Sequence, residues 1–154
     1  MSKHQSIDEL SRQVAVMRNC TCFQLRKASR VVTQAFEEQL QHTGLRATQI
    51  TVLAAIVLKH GSTVSTVAEE LAMDRTTLAR NIKPLEKKGL VAVFPGRDRR
   101  ERVLEVTDLG RESLAAIFPL WQKAQAAIVD GLGQDRWQSL LDHLSDTIAQ
   151  VQRS

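Results

Sequence analysis

The chain has few of the residues that mark secreted scaffolds or membrane proteins. Its 154 residues include two cysteines, three prolines, no tyrosine and only 4% aromatic residues. Two cysteines, Cys20 and Cys22, are too few for a disulfide framework. No apolar run approaches the roughly 20 residues that span a bilayer, and the opening Met-Ser-Lys-His-Gln-Ser lacks the apolar segment of a signal peptide. These absences favour a protein of the reducing cytoplasm.

Motifs for catalysis and metal binding are also missing. The sequence contains no Gly-x-Ser-x-Gly nucleophile elbow, no P-loop and no dinucleotide fingerprint. The histidines at positions 4, 42, 60 and 143 do not have the spacing of metal ligands. The sequence therefore predicts neither an enzyme nor a metalloprotein, and it does not indicate a cofactor.

Positive charge is concentrated in one segment of the chain. Residues 74–102 hold nine Lys or Arg against four Asp or Glu, a net charge of +5, whereas the whole chain carries +4. The rest of the chain is therefore nearly neutral. A localised excess of this kind is typical of a surface that binds nucleic-acid phosphates, although a solvated basic face has the same composition.

The basic segment begins with the pattern of a helix between two good caps. Asp74 can accept hydrogen bonds from the first turn, and Gly89 can adopt the left-handed conformation that ends a helix. Helical spacing places three apolar residues on one stripe: Leu78, Ile82 and Leu85. The opposite face and its flanks carry polar and cationic residues: Arg75, Thr76, Thr77, Arg80, Asn81, Lys83 and Lys87. The pattern predicts a helix with a buried back and a cationic front.

A shorter helix and a hairpin flank this helix. Residues 64–72 are typical of a short helix, and only Met73 and Asp74 follow it before the next, so the chain must turn sharply there. Two β-rich runs, residues 90–94 and 102–107, enclose a Pro-Gly turn and several arginines. The layout predicts a winged helix-turn-helix, in which the second helix enters the DNA major groove.

The remainder of the chain is predicted to be helical. A long helix is expected over residues 7–43, and a second, capped by Thr48, over residues 49–60. The second should turn five residues inward: Ile50, Leu53, Ala54, Val57 and Leu58. A third helix begins after Thr107 and is expected to be interrupted by Pro119. A capping box of Asp135 and Gln138 is expected to open the last.

Both ends of the chain are amphipathic, which bears on assembly. The apolar stripe of the last helix consists of Trp137, Leu140, Leu141, Leu144, Ile148 and Val151. Such a stripe is typical of a surface that pairs with a second copy, although terminal helices also pack on their own domain. We expect a mainly α protein with a small β-hairpin wing. Residues 47–108 form its winged helix-turn-helix DNA-binding domain, and residues 1–46 and 109–154 form a dimerisation region.

The order of these elements resembles the MarR family of bacterial transcriptional regulators. The resemblance rests on the helix and exit sequences at residues 74–80 and 85–91. It rests also on Asp98-Arg99-Arg100 followed by residues 103–110, where Val106 replaces the family's usual Leu. It covers residues 15–150. It implies a homodimer that binds pseudo-palindromic operators in double-stranded DNA, usually as a repressor. It further implies release by a small phenolic or aromatic ligand, or by oxidation.

The resemblance also implies roles for the DNA-binding residues. Arg100 takes the position of the wing arginine that enters the minor groove, and Asp98 is placed to hold it by a salt bridge. Arg80 can read guanine bidentately, and Asn81 can pair with adenine if it faces the groove. The remaining candidates supply phosphate or base-methyl contacts, or plain solvated charge: Arg75, Thr76, Thr77, Lys83, Arg97 and Arg99. Pro84, in mid-helix, removes one hydrogen bond and predicts a kink.

A ligand cleft would lie, by the same resemblance, between the dimerisation and DNA-binding parts. The candidate residues offer arginines for a carboxylate and rings for stacking: Phe23, Arg26, Arg30, Phe118 and Trp121. All five have ordinary roles as core or surface residues without any ligand.

Oxidation is the alternative trigger, with Cys22 as the candidate residue of an oxidation-sensing regulator or of a thiol redox protein. The Cys22-Phe23 pair sits where the hydroperoxide-sensing branch of the family carries its reactive cysteine, but that branch relies on tyrosines and this chain has none. Arg26, one turn on, is placed to favour the thiolate. A buried free cysteine is the other interpretation. Within one helix Cys20 and Cys22 point to different faces, which argues against a bridge between them.

Overall fold

The structure is a computed structural model that describes residues 6–98 and 101–153. The chain divides into two compact units, one ending at Ala35 and the other beginning at Phe36. This division differs from the functional boundaries expected above, which stay a prediction. None of the helices formed by the described residues is long and apolar enough to cross a membrane.

The N-terminal part of the chain forms two α-helices where one was expected. Helix α1 (Ile7–Val14) leads into a 3₁₀ helix (Ala15–Asn19), and α2 (Thr21–Leu40) begins after a break at Cys20. Cys20 has extended backbone angles, φ −66° and ψ 127°. The prediction of a continuous helix over residues 7–43 is therefore wrong. The sequence at the break, Asn-Cys-Thr-Cys, consists of residues of low helix propensity, which explains why the helix is interrupted there.

The second unit has the predicted winged-helix architecture. After the end of α2 come a 3₁₀ turn (Gln41–Thr43) and three helices: α3 (Ala47–Leu58), α4 (Val64–Glu70) and α5 (Arg75–Lys87). Strands β1 (Val91–Pro95) and β2 (Arg102–Val106) pair antiparallel, from Val91 opposite Val106 to Pro95 opposite Arg102. Helices α6 (Asp108–Leu132) and α7 (Gln134–Gln152) complete the chain. The core joins the ends of α2 and α3 to α5 and the hairpin through Leu40, Leu53, Ile56, Leu78, Leu85 and Leu104.

Helix α3 buries a face that overlaps the predicted one only at Ile50 and Leu53. Its buried residues are Ile50, Val52, Leu53, Ala55 and Ile56. Val57 and Leu58, expected inside, are 46% and 77% exposed. The helix is apolar on nearly every side, so periodicity does not define one inward stripe. Its N-cap is Arg46, whose backbone amide donates to the side-chain oxygen of Gln49 at 3.0 Å, and the expected cap at Thr48 is wrong.

Two further expectations fail at α6 and α7. Helix α6 continues through Pro119 without interruption. Pro119 and Ala115, whose carbonyl loses its partner, lie on the exposed side, where water can satisfy that carbonyl. Helix α7 starts after Gly133, with φ +82° and no side-chain cap, and Gln138 donates instead to Asp142 at 3.0 Å. The predicted Asp135 and Gln138 capping box is therefore wrong.

Candidate nucleic-acid interface

Asp74 organises the first turn of α5. Its carboxylate accepts hydrogen bonds from the Thr77 amide at 2.8 Å and from the Thr77 hydroxyl at 2.6 Å. The Thr77 hydroxyl first, and then its amide, lower the pKa of Asp74 below its ordinary value of 3.8. The N-cap that the sequence predicted at Asp74 is therefore confirmed, and it is ionised near neutral pH.

The faces of α5 divide as the sequence predicted. Leu78 and Leu85 are 0% exposed and Ile82 is 5% exposed, so the back of the helix belongs to the core. The outward side chains are all exposed: Arg75, Thr76, Arg80, Lys83 and Lys87. The helix continues through Pro84 to Lys87. The protein thus presents a row of cationic side chains on a helix whose opposite face is anchored.

Asn81 lies on the flank of α5 and not at its centre. Its side-chain amide donates to the Thr77 carbonyl at 2.9 Å, and Thr77 in turn donates its hydroxyl to Asp74. Asp74, Thr77 and Asn81 form one hydrogen-bonded row along the helix, linked through the hydroxyl and the backbone carbonyl of Thr77. Both Thr77 and Asn81 are half-buried. The Asn81 amide has a second N–H and a carbonyl oxygen, with which it could pair with adenine without breaking this bond. The sequence did not predict this row, because its only local sign is the spacing of four residues between Thr77 and Asn81.

The turn between α4 and α5 is tight and strained at one residue. Helix α4 is capped at its start by Thr63, whose hydroxyl oxygen accepts from the Thr66 amide at 3.2 Å. At its end Ala72 has φ +49°, the left-handed conformation that favours glycine. The Met73 amide then donates back to the Ala68 carbonyl at 2.8 Å. This closure orients α5 relative to α4.

The wing is attached to the helix-turn-helix through backbone hydrogen bonding. The Leu104 amide donates to the Ser62 carbonyl at 3.0 Å, and Thr63 forms an isolated antiparallel bridge with Val103. Strand β2 is therefore bound on one side by β1 and on the other by the segment that precedes α4. The root of the wing and the start of the helix-turn-helix form one continuous hydrogen-bonded piece.

The wing tip is only partly described. The Gly96 amide donates to the Glu101 carbonyl at 2.9 Å, and the Glu101 amide donates to the Asp98 carbonyl at 2.9 Å. Arg97 and Asp98 are exposed. Arg99 and Arg100 lie outside the described residues, so the expected salt bridge between Asp98 and Arg100 and the minor-groove role of Arg100 stay predictions.

The end of α5 is tied to both of its neighbours. Gly89 has φ +72° and ends the helix, and its carbonyl accepts from the Thr107 hydroxyl at 2.6 Å. The same hydroxyl oxygen caps α6 by accepting from the Gly110 amide at 3.1 Å. The sequence predicted the cap at Thr107 but not its bond to α5. A Cβ on Gly110 would collide with the Leu90 carbonyl oxygen, so this junction is closely packed.

The candidate ligand residues fall in both units. In the second unit the rings of Phe118 and Trp121 stack, with centroids 5.8 Å apart and planes inclined by 14°. In the first unit Phe23, Arg26 and Arg30 are exposed on α2. Their role in binding a ligand stays a prediction.

The cysteines lie at the start of α2 and are free and exposed. Because Cys20 is extended and precedes the helix, the two thiols do not share a helix as expected. Helical geometry therefore does not argue against a disulfide between Cys20 and Cys22. Among the described residues no three His, Cys, Asp or Glu side chains come together as metal ligands.

Sequence comparisons agree with this geometry. The profile of the MarR family matches residues 43–101, which include the helix-turn-helix and most of the wing. The chain is 30% identical over 84 residues to the uncharacterized HTH-type transcriptional regulator YwoH of Bacillus subtilis, over 54% of this chain. It spans 61% of the length of that relative.

Solved structures extend the similarity to most of the chain. The M. tuberculosis transcriptional regulator MosR in complex with DNA is 34% identical with a TM-score of 0.78, covering 88% of this chain and 99% of MosR. The transcriptional repressor CouR bound to a 23-mer DNA duplex is 26% identical with a TM-score of 0.77, covering 88% of this chain and 96% of CouR. CouR has also been solved with p-coumaroyl-CoA, and that structure has a TM-score of 0.73 at 25% identity, over 87% and 94% of the two chains. These are structures of regulators, and they confirm the expectation that the chain is not an enzyme.

Proposed function

Because the chain belongs to the MarR family of DNA-binding transcriptional regulators, we propose that it acts as a dimeric repressor. It binds a pseudo-palindromic operator and is released by a small aromatic or phenolic ligand. The observation that carries this proposal is α5, whose apolar back is buried while Arg75, Arg80 and Lys83 are exposed on its front. A helix of this kind fits the major groove, where an arginine can donate two hydrogen bonds to guanine.

A second copy of the chain is the proposed partner of the apolar stripes. No residue of α7 is buried within the single chain, although its stripe is apolar. The side chains of Leu140, Leu141, Ile148 and Val151 are 39% to 69% exposed. In α1 the apolar Ile7 and Leu10 are likewise exposed. Apolar side chains in rows of this length favour burial against another subunit. A two-fold dimer places two α5 helices about one DNA turn, roughly 34 Å, apart.

The test of DNA recognition compares three variants. Arg80→Ala is expected to cost about 1–3 kcal/mol in operator affinity, roughly fivefold to 150-fold, and to relax base preference at one position. Lys87→Ala is expected to weaken all sequences alike and to reduce the salt dependence. Lys123→Ala removes one charge outside residues 74–102 and serves as the control, with affinity unchanged.

The operator is first selected from random DNA pools, and affinities are then measured by fluorescence anisotropy at several salt concentrations. Wild-type affinity of Arg80→Ala for both operator and random DNA would contradict the assignment of the recognition helix. Sedimentation of the protein alone and with operator measures the stoichiometry, and one protomer per operator would contradict the proposed dimer.

The ligand is proposed to contain an aromatic ring. The stacked Phe118 and Trp121 offer an apolar ring surface on α6, both being more than a third exposed. Phe23, Arg26 and Arg30 are the further candidates, with arginines for an acidic group. CouR, a similar repressor, has been solved with an aromatic acyl-CoA thioester, p-coumaroyl-CoA. A screen of aromatic acids for release of the operator tests the proposal, and equal release from wild type and Trp121→Ala would remove Trp121 from the site.

Oxidation of the cysteines is the second candidate trigger, and the break before α2 favours it. Both thiols are exposed, and Cys22 lies in the first turn of α2. A hydroperoxide oxidises one thiol to the sulfenic acid and leaves as an alcohol. The second thiol then displaces water to form the disulfide. Closing the bridge would distort the first turn of α2.

Operator affinity before and after hydroperoxide distinguishes the two triggers. Under oxidative control, wild type loses affinity while Cys22→Ser does not, and mass spectrometry shows the loss of two hydrogens from wild type. Unchanged affinity of oxidised wild type would rule out the cysteines as the trigger and leave the ligand as the proposed one.

A further inference from the structure

Thr77, in the first turn of α5, has both of its hydrogen-bond donors engaged by one neighbour. A threonine has two donors, its backbone N–H and its hydroxyl hydrogen. The Thr77 amide donates to Oδ1 of Asp74 at 2.8 Å, and the hydroxyl donates to Oδ2 of the same carboxylate at 2.6 Å. The direction of the second bond is fixed, because an ionised carboxylate can only accept. The Thr77 side chain therefore has the lone pairs of its oxygen and its methyl group left for a ligand.

This geometry argues against a phosphate contact at Thr77. The oxygen atoms of a DNA phosphate carry no hydrogen, so a threonine that binds one must supply a donor. Both donors of Thr77 are held by Asp74, whose negative charge also repels a phosphate. A phosphate contact would therefore require the N-cap of α5 to open.

A fixed acceptor in the major groove distinguishes two classes of base. Adenine N6 and cytosine N4 are amino groups that donate, whereas guanine O6 and thymine O4 are keto oxygens that accept. An acceptor binds the amino groups and is repelled by the keto oxygens. The N-terminal residues of a recognition helix are the ones that contact base edges. Thr77 is the third residue of α5, and it is only half-buried, so it is still partly accessible to a base.

We propose that Thr77 reads the amino group of adenine or cytosine at one base pair of each operator half-site, with Asp74 holding its hydroxyl as an acceptor. This role rests on the proposed function and names what α5 recognises at one position. Asp74 is a positioning residue here, since it acts through Thr77 and needs no contact of its own with DNA. The expected signature is a preference for amino over keto bases that disregards the difference between purine and pyrimidine.

Operator selection from random DNA pools with the full chain, followed by fluorescence anisotropy with all four base pairs at each half-site position, tests this role. For wild type, one position is expected to favour A and C over G and T by about threefold to tenfold. Thr77→Val has the same shape without the hydroxyl, and it is expected to bring this ratio close to one. Thr77→Ser keeps the hydroxyl and is expected to keep the preference.

Thr51→Val is the matched control, because it makes the same chemical change on α3. The Thr51 hydroxyl is exposed and donates within its own helix to the Ala47 carbonyl at 3.0 Å. This variant is expected to have the operator affinity and the base preference of wild type.

Asp74→Asn tests the positioning role without removing the N-cap. Asparagine is as good an N-cap as aspartate, and its side-chain oxygen can still accept from the Thr77 amide. Its NH₂ group replaces the second carboxylate oxygen and donates to the Thr77 hydroxyl instead of accepting from it. The hydroxyl hydrogen is then free to donate to a keto oxygen. The preference for amino bases is therefore expected to be lost, while far-ultraviolet circular dichroism shows an unchanged fold.

The bond between Thr77 and Asp74 is measured without DNA. The Thr77 hydroxyl is the largest cause of the lowered pKa of Asp74. In an NMR titration of the free protein, the pKa of the Asp74 carboxylate is therefore expected to be higher in Thr77→Val than in wild type. The same pKa in both proteins would contradict the held hydroxyl and overturn the proposal.

The DNA measurements separate this role from the others that a threonine can play. An amino preference that survives in Thr77→Val or in Asp74→Asn overturns the proposal. A preference for thymine that Thr77→Val keeps assigns the contact to the methyl group and overturns it as well. Equal loss of affinity for all four base pairs in Thr77→Val means a structural role alone, which also overturns it. Absence of all sequence-specific binding by wild type refutes the proposed function itself, whereas specific binding without an amino preference refutes only the role of Thr77.

Discussion

Replacing Ala72 by glycine is expected to stabilise the protein. Ala72 has φ +49° in the turn before α5, and this conformation costs a residue with a Cβ roughly 1–2 kcal/mol. Glycine removes that cost, but its greater conformational entropy in the unfolded chain lowers the free energy of unfolding by about 0.4–1 kcal/mol. Ala72 is exposed, so its methyl contributes little packing. The free energy of unfolding should therefore rise by about 0.5–1 kcal/mol.

Ala79 provides a control with the same chemical change and the opposite expected sign. It is also exposed, but it lies within α5, where glycine relieves no strain and lowers the free energy of unfolding by about 0.5–1 kcal/mol. Urea unfolding followed by far-ultraviolet circular dichroism measures both variants. All samples must share one protein concentration, because association of protomers makes stability depend on concentration.

Strain at Ala72 requires the two glycine variants to change stability in opposite directions. If Ala72→Gly and Ala79→Gly are destabilised alike, the turn before α5 is not strained and the reasoning is wrong. The denaturant slope should be the same for wild type and both variants, since a changed slope reports altered compactness and not relief of strain. A rise in Tm of roughly 1–4 °C for Ala72→Gly would agree with the chemical unfolding.

Two further predictions concern the ends of α5 and α6. Gly110→Ala should lower the free energy of unfolding by about 1–3 kcal/mol, because its Cβ would collide with the Leu90 carbonyl oxygen and lie 2.6 Å from Val106 Cγ1; an unchanged Tm would contradict this. The second concerns Asp74. In the folded protein Thr77 lowers the pKa of this carboxylate below 3.8. The cap therefore contributes stability that is present above pH 3.8 and is lost as the pH falls through the folded pKa. The stability difference between wild type and Asp74→Ala, measured by urea unfolding, should therefore narrow below about pH 4, and a constant difference would refute it.

The DNA-binding module was predictable because several local signals coincide there. Asp74 and Gly89 define the ends of α5, three leucine or isoleucine residues define its back, and the Pro-Gly turn defines the hairpin. Each signal depends on residues close in sequence, and all are present in the structure. The exposure of Arg80 follows from the same periodicity, so the cationic front required no knowledge of tertiary contacts.

What the sequence did not reveal depends on contacts between distant residues. The bond from Lys88 to Gly44 spans 44 positions, and the bond from Thr107 to Gly89 spans 18, so no local pattern indicates them. In α3 the surrounding elements select the buried face, since nearly every side of that helix is apolar. The break at Cys20 depends on weak propensities, which become decisive only where no packing opposes them.

The hydrogen bond from Leu104 of β2 to Ser62, together with the bridge between Thr63 and Val103, has a consequence for how such a regulator can diversify. These contacts attach the base of the hairpin to the segment that precedes α4. Residues at the tip of the hairpin, between Gly96 and Glu101, can therefore be exchanged without disturbing the orientation of α5. Substitutions on the outer face of α5 likewise leave the hairpin base intact. If the wing and α5 contact the minor and major grooves as proposed, the two preferences can be redesigned, or can drift by mutation, independently of one another.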